Sequence, residues 1–225
     1  MLYAIGDIHG ERELLVELLD SLPLRDDDRL IFMGDYVDRG PDSKGVVDVL
    51  LNVAKERPCV FLIGNHESMF LDFLGWDDPR YFAGDAFLVN GGDRTLVSYD
   101  YFDNEPLDPT EFDLPKAHEE FYRGLKLYHS EGDYLFVHAG LSRAAFETKD
   151  LAYALRRCDP EDLLWNRTTA DLPHNLGITI VYGHTPARDL EVRWNPPFSI
   201  GIDTGAVYGG KLTAIRLPDE TLFQV

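Results

Sequence analysis

Aspartate, histidine and asparagine residues recur beside glycines at five places in this chain of 225 residues. Their carboxylate, imidazole and amide groups suit divalent ions such as Mn²⁺, Fe²⁺ and Zn²⁺, and a neighbouring glycine lets the backbone approach an ion closely. The five segments lack cysteine, which argues against a structural zinc site. They are Gly6-Asp7-Ile8-His9-Gly10, Gly34-Asp35-Tyr36-Val37-Asp38-Arg39-Gly40, Gly64-Asn65-His66-Glu67, His138-Ala139-Gly140 and Gly183-His184-Thr185.

Taken alone, the first segment is more often an ordinary turn than a metal site, and His138 and His184 are more often half-buried structural histidines than ligands. The other two segments could be a surface loop and a helix-capping turn. Chance does not readily place all five in one chain, so we interpret them together. Six candidate ligands are more than a single catalytic ion with an open position would use. Two ions that share a bridging carboxylate would use them, at the separation of about 3.5–4 Å that is typical of two-metal hydrolases.

The elements that must position these segments are short apolar strands. The first three apolar runs alternate with helical patterns at residues 11–22 and 43–54, each of which carries an apolar stripe. This alternation is typical of an α/β fold, in which ligands bind outside the carboxyl ends of the strands. The predicted strands cover residues 2–5, 30–33, 60–63, 134–137, 178–182, 198–202 and 212–217.

Residues from about 76 to 115 interrupt the alternation. They include the Gly91-Gly92 pair and an acidic, proline-punctuated run from Asp100 to Pro115. We interpret this stretch as an insertion over the sheet that shapes the substrate entrance, within one domain covering residues 1–225. Nearer the end of the chain, Tyr208-Gly209-Gly210-Lys211 predicts a hairpin turn between two apolar runs.

Taken together, the five motifs resemble those of the phosphoprotein phosphatase family of dinuclear metallophosphoesterases. The segment Leu164-Trp165-Asn166-Arg167 and the run from Ile202 to Gly210 resemble the small bacterial and bacteriophage lambda phosphatase branch. Pro186 stands where the wider metallophosphoesterase group has a second histidine, which also points to the phosphatase branch. The resemblance implies the calcineurin-like metallophosphoesterase fold, an α/β fold with a central β-sandwich flanked by helices.

The resemblance also implies which residues hold two divalent ions. Mn²⁺ is the expected metal, with Fe or Zn as alternatives, since ligand sets of this kind accept several first-row ions. Asp35 would bridge the two ions. The first ion is assigned Asp7, His9 and Asp35, and the second is assigned Asp35, Asn65, His138 and His184.

By the same resemblance, a hydroxide held between the ions attacks a phosphate monoester directly. His66, which follows the ligand Asn65 but is not itself a ligand, is expected to protonate the leaving oxygen, and Asp38 to hold its imidazole. Arg39 and Arg167 are expected to form bidentate hydrogen bonds to phosphate oxygens, a geometry that a lysine does not offer. Asn65 is expected to contact the substrate as well.

Several polar residues outside these roles are less defined. Asp203 either orients a histidine ligand or is a plain turn carboxylate. Arg94 either reaches the substrate phosphate or is a solvated loop arginine. Three histidines outside the motifs are expected to have surface or structural roles: His118, His129 and His174.

Three functions remain open for such a chain. The main prediction is a serine/threonine protein phosphatase, with phosphotyrosine as an additional substrate. The alternative is a symmetric diadenosine tetraphosphatase or another nucleotide phosphohydrolase; those relatives are expected to lack the aspartate before Arg39 and to replace Glu67 with aspartate, so Asp38 and Glu67 favour the phosphatase. The third is a catalytically inactive binding module, against which the complete ligand set argues.

Composition limits the partners and the compartment. Asp and Glu outnumber Lys and Arg by 40 to 21, a net charge of −19, so neither nucleic acid nor an anionic membrane is an expected partner. Phosphorylated proteins or peptides are the expected partners, with two ions supplying local positive charge. Two cysteines, Cys59 and Cys158, and the lack of a signal segment or long apolar run favour the reducing cytoplasm. A monomer is the default.

Overall fold

Ten β-strands form two five-stranded sheets in the computed structural model, which describes residues 1–101, 108–109 and 112–225. The first sheet has the order β10-β9-β1-β2-β3, and the second has the order β4-β5-β6-β8-β7. The strand bounds are β1 Leu2–Ile5, β2 Arg29–Phe32, β3 Cys59–Phe61, β4 Tyr128–Glu131, β5 Tyr134–Val137, β6 Thr179–Tyr182, β7 Arg193–Asn195, β8 Ser199–Gly201, β9 Thr213–Leu217 and β10 Thr221–Gln224.

Three adjacent strands run parallel in each sheet, namely β1, β2 and β3 in the first and β5, β6 and β8 in the second. In register, Ala4 lies opposite Ile31, which lies opposite Val60. The flanking strands are antiparallel to their neighbours. Because the carboxyl ends of parallel strands meet at one edge of a sheet, the loops that follow these six strands can converge.

An apolar layer joins the two sheets face to face. Successive side chains of a strand point to opposite faces, so Ala4 enters this layer while Tyr3 and Ile5 face outward. Both faces of the central strands are buried, which explains why they read as continuous apolar runs. The layer is built largely from Ala4, Ile31, Met33, Phe136, Val181, Ile200 and Ile215.

Helices cover the outer faces of both sheets. Leu15 of the first helix packs with Tyr3 and other residues of the first sheet, and Leu163 of the last helix packs with Leu135 and neighbours of the second. The predicted α/β architecture, a central β-sandwich flanked by helices, is confirmed. The α-helices are α1 Arg12–Ser21, α2 Ser43–Glu56, α3 Asn65–Phe73, α4 Gly92–Ser98, α5 Lys116–Arg123, α6 Leu151–Leu155 and α7 Pro160–Trp165.

The hairpin predicted around Gly209 and Gly210 is wrong. β8 and β9 lie in different sheets, so the chain between them crosses from the second sheet to the first. The segment instead forms a short 3₁₀ turn at Ala206–Tyr208, flanked by Gly205 and Gly209 at positive φ values of 68° and 82°. Adjacent apolar runs do not reveal which sheet each strand joins.

Part of the predicted insertion forms helix α4, which follows two short 3₁₀ segments, Gly84–Ala86 and Leu88–Asn90. Phe87 fixes this region to the body of the protein, because its ring lies 5.3 Å from that of Phe70 and 4.8 Å from that of Phe73 on α3. Residues 102–107 and 110–111 of the predicted acidic run lie outside the described residues. Among those described, no helix is long and apolar enough to span a bilayer.

Candidate active site

Loops from both sheets meet at the carboxyl edge of the parallel strands. The end of β1 touches the end of β8 so closely that a Cβ on Gly6 would lie 2.5 Å from the carbonyl oxygen of Ile202. Across the sandwich, the His138 ring after β5 reaches the Met33 carbonyl after β2, with Nδ1 to oxygen 2.8 Å. The five motifs, which are far apart in sequence, therefore form one site.

Asp35 lies at the centre of this site. Its Oδ2 atom is 3.4 Å from His9 Nε2, and its Oδ1 atom is 3.4 Å from His138 Nε2. Asp35 belongs to two groups of potential metal ligands, one with His9 and His66 and the other with His138 and His184. In each group the ligand atoms lie within 4.8 Å of one another. A carboxylate shared in this way could bridge two ions.

Backbone carbonyls fix the orientation of two of the imidazoles. His9 Nδ1 lies 2.9 Å from the Val37 oxygen, as His138 Nδ1 does from the Met33 oxygen at 2.8 Å. A carbonyl only accepts, so the ring proton stays on Nδ1 and the Nε2 lone pair faces Asp35. His138 Nε2 also lies 3.1 Å from Asn65 Oδ1. Electron-donating atoms thus face one another in the centre, an arrangement that a cation between them would stabilise.

Unpaired buried atoms give a second test of whether divalent ions fit. Within the described part of the chain, Asp7 Oδ1 and His184 Nε2 are buried without a hydrogen-bond partner, although the other Asp7 oxygen accepts the His184 backbone N–H at 2.9 Å. Leaving buried polar atoms unpaired is costly. Since both atoms are good ligands for a divalent ion, the residues present fit a metal centre.

The protonation states also suit metal binding. Burial raises the pKa of Asp35, but the surrounding histidines, His138 first, outweigh it and hold this pKa below its ordinary value. Burial lowers the pKa of His9 to about 3 and that of His184 to about 2. The bridging carboxylate is therefore ionised and these imidazoles are neutral at physiological pH, as metal ligands must be.

His66 is held by a buried chain of hydrogen bonds. Its Nδ1 lies 2.6 Å from Asp38 Oδ2, and Thr95 Oγ1 donates to the other Asp38 oxygen at 2.6 Å. Thr95 Oγ1 also accepts the Asp38 backbone N–H at 2.8 Å. Burial lowers the pKa of His66, but the Asp35 and Asp38 carboxylates raise it above its ordinary value overall. The pair thus favours a protonated imidazole.

Thr95 was missed by the sequence reasoning. It lies on α4, inside the predicted insertion, and it is fully buried. The Arg39 N–H also donates to the Gly91 oxygen just before α4, at 3.1 Å. The insertion therefore supports the second motif, a role that differs from the predicted one of shaping the substrate entrance. No spacing pattern connects a threonine at position 95 to an aspartate at position 38, so this contact was not visible in the sequence.

Glu67 is a second residue whose role the sequence did not reveal. It is fully buried on the first turn of α3, and its carboxylate accepts four backbone N–H groups at 2.7–3.2 Å. One donor, Gly64, caps α3, which makes the glutamate part of a capping box. The spacing of Gly64 and Glu67 is a capping signal that could have been recognised. The other three donors are Asp35, Tyr36 and Val37.

A cavity of about 210 Å³ opens over three of the candidate metal ligands, Asp35, Asn65 and His184. Arg39 is half-buried, and its Nη1 donates to His9 Nε2 at 2.7 Å. Arg167 is exposed at the margin. Both arginines can therefore face a phosphate placed in the cavity. The residues that line it are Asp35, Arg39, Asn65, His66, Arg167, His184, Pro186, Asp203 and Tyr208.

The remaining polar residues lie as follows. Asp203 lines the cavity, but its carboxylate accepts the Gly205 N–H at 3.0 Å, a turn bond. Burial raises the pKa of Asp203 to about 6, with a further rise from Asp35. Arg94 is exposed on α4. The three histidines outside the motifs bond to groups elsewhere: His118 to Tyr99 and Asp48, His129 to Glu131, and His174 to Phe198.

Comparisons with known proteins identify the family of this chain. A family model described as calcineurin-like phosphoesterase matches residues 2–211. The asymmetrical bis(5′-nucleosyl)-tetraphosphatase PrpE of Anoxybacillus flavithermus is 30% identical over 96% of this chain and 89% of its own length. The protein of the same name from Halalkalibacterium halodurans is 29% identical with the same coverage. A cold-active protein tyrosine phosphatase, 18% identical, has a TM-score of 0.63 over 99% of this chain and 78% of its own, a likeness of fold.

Proposed function

This chain belongs to the calcineurin-like phosphoesterase family, and from that premise we propose that it is a bis(5′-nucleosyl)-tetraphosphatase that cleaves its substrate asymmetrically. Family membership and the fitting His and Asp cluster make it a metal-dependent hydrolase of phosphoesters. The observation that carries the finer proposal is the match to PrpE proteins. It covers 96% of this chain and 89% of theirs, so the match is not confined to a single motif.

The comparisons support the nucleotide alternative better than the protein phosphatase predicted first. They also differ from that alternative in one respect, because the relatives carry the description asymmetrical rather than symmetric. The narrower resemblance to the bacteriophage lambda branch gains no support from these relatives. The calcineurin-like family is the level at which the resemblance holds.

The two motif residues that favoured a protein phosphatase do not select between substrates by direct contact. Glu67 is fully buried and its carboxylate faces backbone N–H groups. Asp38 is also fully buried and bonds to His66 and Thr95. Neither side chain lines the cavity. Both support the site from behind, so either could serve a phosphopeptide or a dinucleotide.

Two divalent ions, Mn²⁺ being the expected metal, fit the ligand set predicted from the sequence. Asp7, His9 and Asp35 would hold one ion, and Asp35 would share the second with three further ligands. When bound, such ions polarise a phosphoryl group and lower the pKa of water. The three further ligands are Asn65, His138 and His184.

The chain's own side chains orient the substrate and move a proton. Arg39 and Arg167 bind phosphate oxygens with their guanidinium groups, and Asn65 lies in the same cavity. In the proposed reaction, the oxygen of water bonds to an α-phosphorus and the bond from that phosphorus to the α,β-bridging oxygen breaks. The products are a nucleoside monophosphate and a nucleoside triphosphate. His66 can supply a proton to the leaving oxygen.

Phosphopeptides remain the second candidate substrate because of the His66–Asp38 pair. A buried, protonated imidazole is most useful for a poor leaving group such as the alkoxide of phosphoserine. A nucleoside triphosphate is a more stable leaving anion and depends less on that proton. The pair is therefore a specific observation in favour of monoester hydrolysis.

A direct comparison of substrates tests the proposal. Mn²⁺-loaded protein is given diadenosine tetraphosphate, a phosphoserine peptide and a phosphotyrosine peptide, and the products are separated by anion exchange. We expect a kcat/KM at least about tenfold higher for the dinucleotide, a difference of about 1.4 kcal/mol in transition-state stabilisation, with AMP and ATP as products.

Two results would contradict the proposal. ADP as the sole product would indicate symmetric cleavage, and a higher kcat/KM for either peptide would favour a protein phosphatase. Asp35→Asn, purified in the same way, is the control for contaminating phosphatases. It should be inactive on all three substrates, since the shared carboxylate is removed.

A further inference from the structure

Tyr208 is an exposed aromatic residue at the mouth of the candidate active site. It is 56% exposed, and it lines the same cavity as Asp35 and His184. Single exposed aromatics are common on protein surfaces and need no explanation by themselves. This one differs because it is exposed and also lines the same cavity as the two candidate phosphate-binding arginines.

The backbone presents this ring on a well-braced turn. The N–H groups of Tyr208 and Gly210 both donate to the Gly205 oxygen, at 2.9 and 3.0 Å. Thr204 Oγ1 donates to the Lys211 oxygen at 2.6 Å and closes the base of the turn. Gly210 packs against the Thr204 carbonyl too closely for any side chain. A braced turn loses little conformational entropy when a ligand binds to it.

Arg39 connects the ring to the metal ligands. Its guanidinium carbon lies over the Tyr208 ring, 5.5 Å from the centroid, while its Nη1 contacts His9 Nε2 at 2.7 Å. The guanidinium approaches the ring from one side, and the exposed fraction leaves much of the ring accessible. An aromatic ring with a guanidinium on one side can accept a nucleobase on its other side.

The neighbouring cavity is a poor alternative for the nucleoside. It has a volume of about 270 Å³, shares Arg167 with the site, and is lined by Asp159, Glu161 and Asp162. These carboxylates would repel a polyphosphate and its flanking nucleotide. The side of the site at Tyr208 carries the Arg39 cation instead. Charge therefore disfavours the neighbouring cavity for a phosphate-bearing nucleotide and leaves the side at Tyr208.

We propose that Tyr208 is the stacking platform for the base of the nucleoside whose own phosphoryl group is cleaved, an inference that rests on the proposed function. In a 5′-nucleotide a single ribose separates the phosphoryl group from the base. A base on Tyr208 thus belongs to the nucleotide held at the metal ligands, and not to one separated from them by further phosphates. Stacking there places the α-phosphoryl group at the site, which yields a monophosphate and a triphosphate.

Competitive inhibition isolates the contribution of the base. AMP and ribose 5-phosphate share a phosphate and a sugar, and AMP alone has a base. Both are used as inhibitors of p-nitrophenyl phosphate hydrolysis by the Mn²⁺-loaded enzyme. Because stacking on an aromatic side chain strengthens the binding of a base, we expect wild type to bind AMP on the order of tenfold more tightly than ribose 5-phosphate.

Tyr208→Ala should remove this difference between the two inhibitors, and Tyr208→Trp should keep it. Tyr153→Ala is the matched control: Tyr153 is 44% exposed and lies beneath the Arg157 guanidinium at 5.7 Å, outside the site. It should leave both inhibition constants unchanged. The kcat/KM for diadenosine tetraphosphate should fall in Tyr208→Ala by the same factor as AMP binding.

The outcomes separate this inference from the proposed function. An AMP advantage that persists in Tyr208→Ala, or that is absent from wild type, would overturn the stacking role. Equal weakening of both inhibitors would also overturn it, because the ring would then act only by positioning Arg39. Failure of wild type to cleave diadenosine tetraphosphate would instead count against the proposed function, whatever the inhibition constants show.

Discussion

At the scale of single residues, the site concentrates non-glycine residues with left-handed backbones. His9, Asp35, Asp38, Arg39 and His184 have φ values between 47° and 72°. Each such residue costs about 1–3 kcal/mol unless the surrounding structure enforces the conformation. Here the second motif is enforced by the Glu67 carboxylate and by the contacts to α4. These strained backbone conformations bring the side chains together in the site, and such strain is common at functional sites.

The buried His66–Asp38 pair leads to a prediction about leaving groups. His66→Asn removes the proton donor, so hydrolysis of a phosphoserine peptide should slow by a factor on the order of 10²–10⁴. Hydrolysis of diadenosine tetraphosphate should slow much less, because its leaving group is a stable triphosphate. Steady-state kcat for the two substrates is the measurement, with metal content determined alongside.

Metal content should be unchanged in His66→Asn, since His66 Nδ1 is already bonded to Asp38. Equal losses of kcat on both substrates would argue against proton donation by this residue. Loss of one ion would instead place His66 among the ligands, as its proximity to His9 and Asp35 allows.

Glu67 leads to a prediction about stability. Glu67→Gln replaces a carboxylate oxygen with an NH₂ group that faces backbone donors, so part of a buried network loses its acceptor. We expect the free energy of unfolding to fall by about 3 kcal/mol, measured by urea denaturation. Glu17→Gln, on the exposed face of α1, is the control and should change it little. A loss below about 0.5 kcal/mol in Glu67→Gln would contradict the acceptor role.

At the scale of elements, helix α4 takes part in the site although it lies in the predicted insertion. Among the described residues of α4, Thr95 is the one whose side chain bonds to Asp38. Asp38 in turn bonds to the His66 imidazole. Through this contact, α4 can change the position and pKa of the His66–Asp38 pair without changing the candidate metal ligands. Sequence variation in this helix would therefore alter turnover.

Thr95→Val tests this at nearly constant side-chain volume. Loss of a buried hydrogen bond to a charged group is worth about 1.5–3 kcal/mol, so kcat for the phosphoserine peptide should fall on the order of tenfold. KM should stay unchanged, because Thr95 does not line the cavity. Thr95→Ser keeps the hydroxyl and should restore kcat. A change in KM alone, or no rescue by serine, would contradict a positioning role through Asp38.

The central strands were predicted from the sequence within two residues, because they are buried on both faces and read as apolar runs. Of the four edge strands described, β3 was predicted and three were missed: β4 alternates exposed and half-buried residues, β7 is exposed at its centre, and β10 is half-buried throughout. The convergence of the five motifs could be predicted because each one follows the carboxyl end of a predicted strand. Thr95 and the acceptor role of Glu67 could not be predicted in this way, since both depend on tertiary contacts with backbone or side chains distant in sequence.

At the scale of the whole molecule, the net charge is −19, and several of the carboxylates responsible lie close together in the centre of the site. Burial raises the pKa of Asp7 well above its ordinary value, and Asp203 and Asp35 raise it further. Two divalent ions would offset this clustering of carboxylates. Because the ions would bind the folded protein and not the unfolded chain, their binding must also stabilise the folded state.

Removal of divalent ions should therefore lower the melting temperature. At a free ion concentration about 100 times the dissociation constant, binding contributes about 2.7 kcal/mol, which corresponds to about 5–10 °C for a chain of this size. Differential scanning calorimetry with EDTA, and again after Mn²⁺ is restored, measures the shift. Asp35→Asn should show little response to EDTA. An unchanged melting temperature in wild type would contradict metal binding at this centre.

The order in which the ligands occur along the chain bears on synthesis. Asp7 accepts a hydrogen bond from His184, and β1 pairs with β9, so that Leu2 lies opposite Leu217. During translation, the first three motifs leave the ribosome long before their partners in the second sheet. Pairings between such distant segments form slowly. The candidate ligand set thus becomes complete only after strands β5 and β6 of the second sheet have been made, so the nascent protein should acquire activity late.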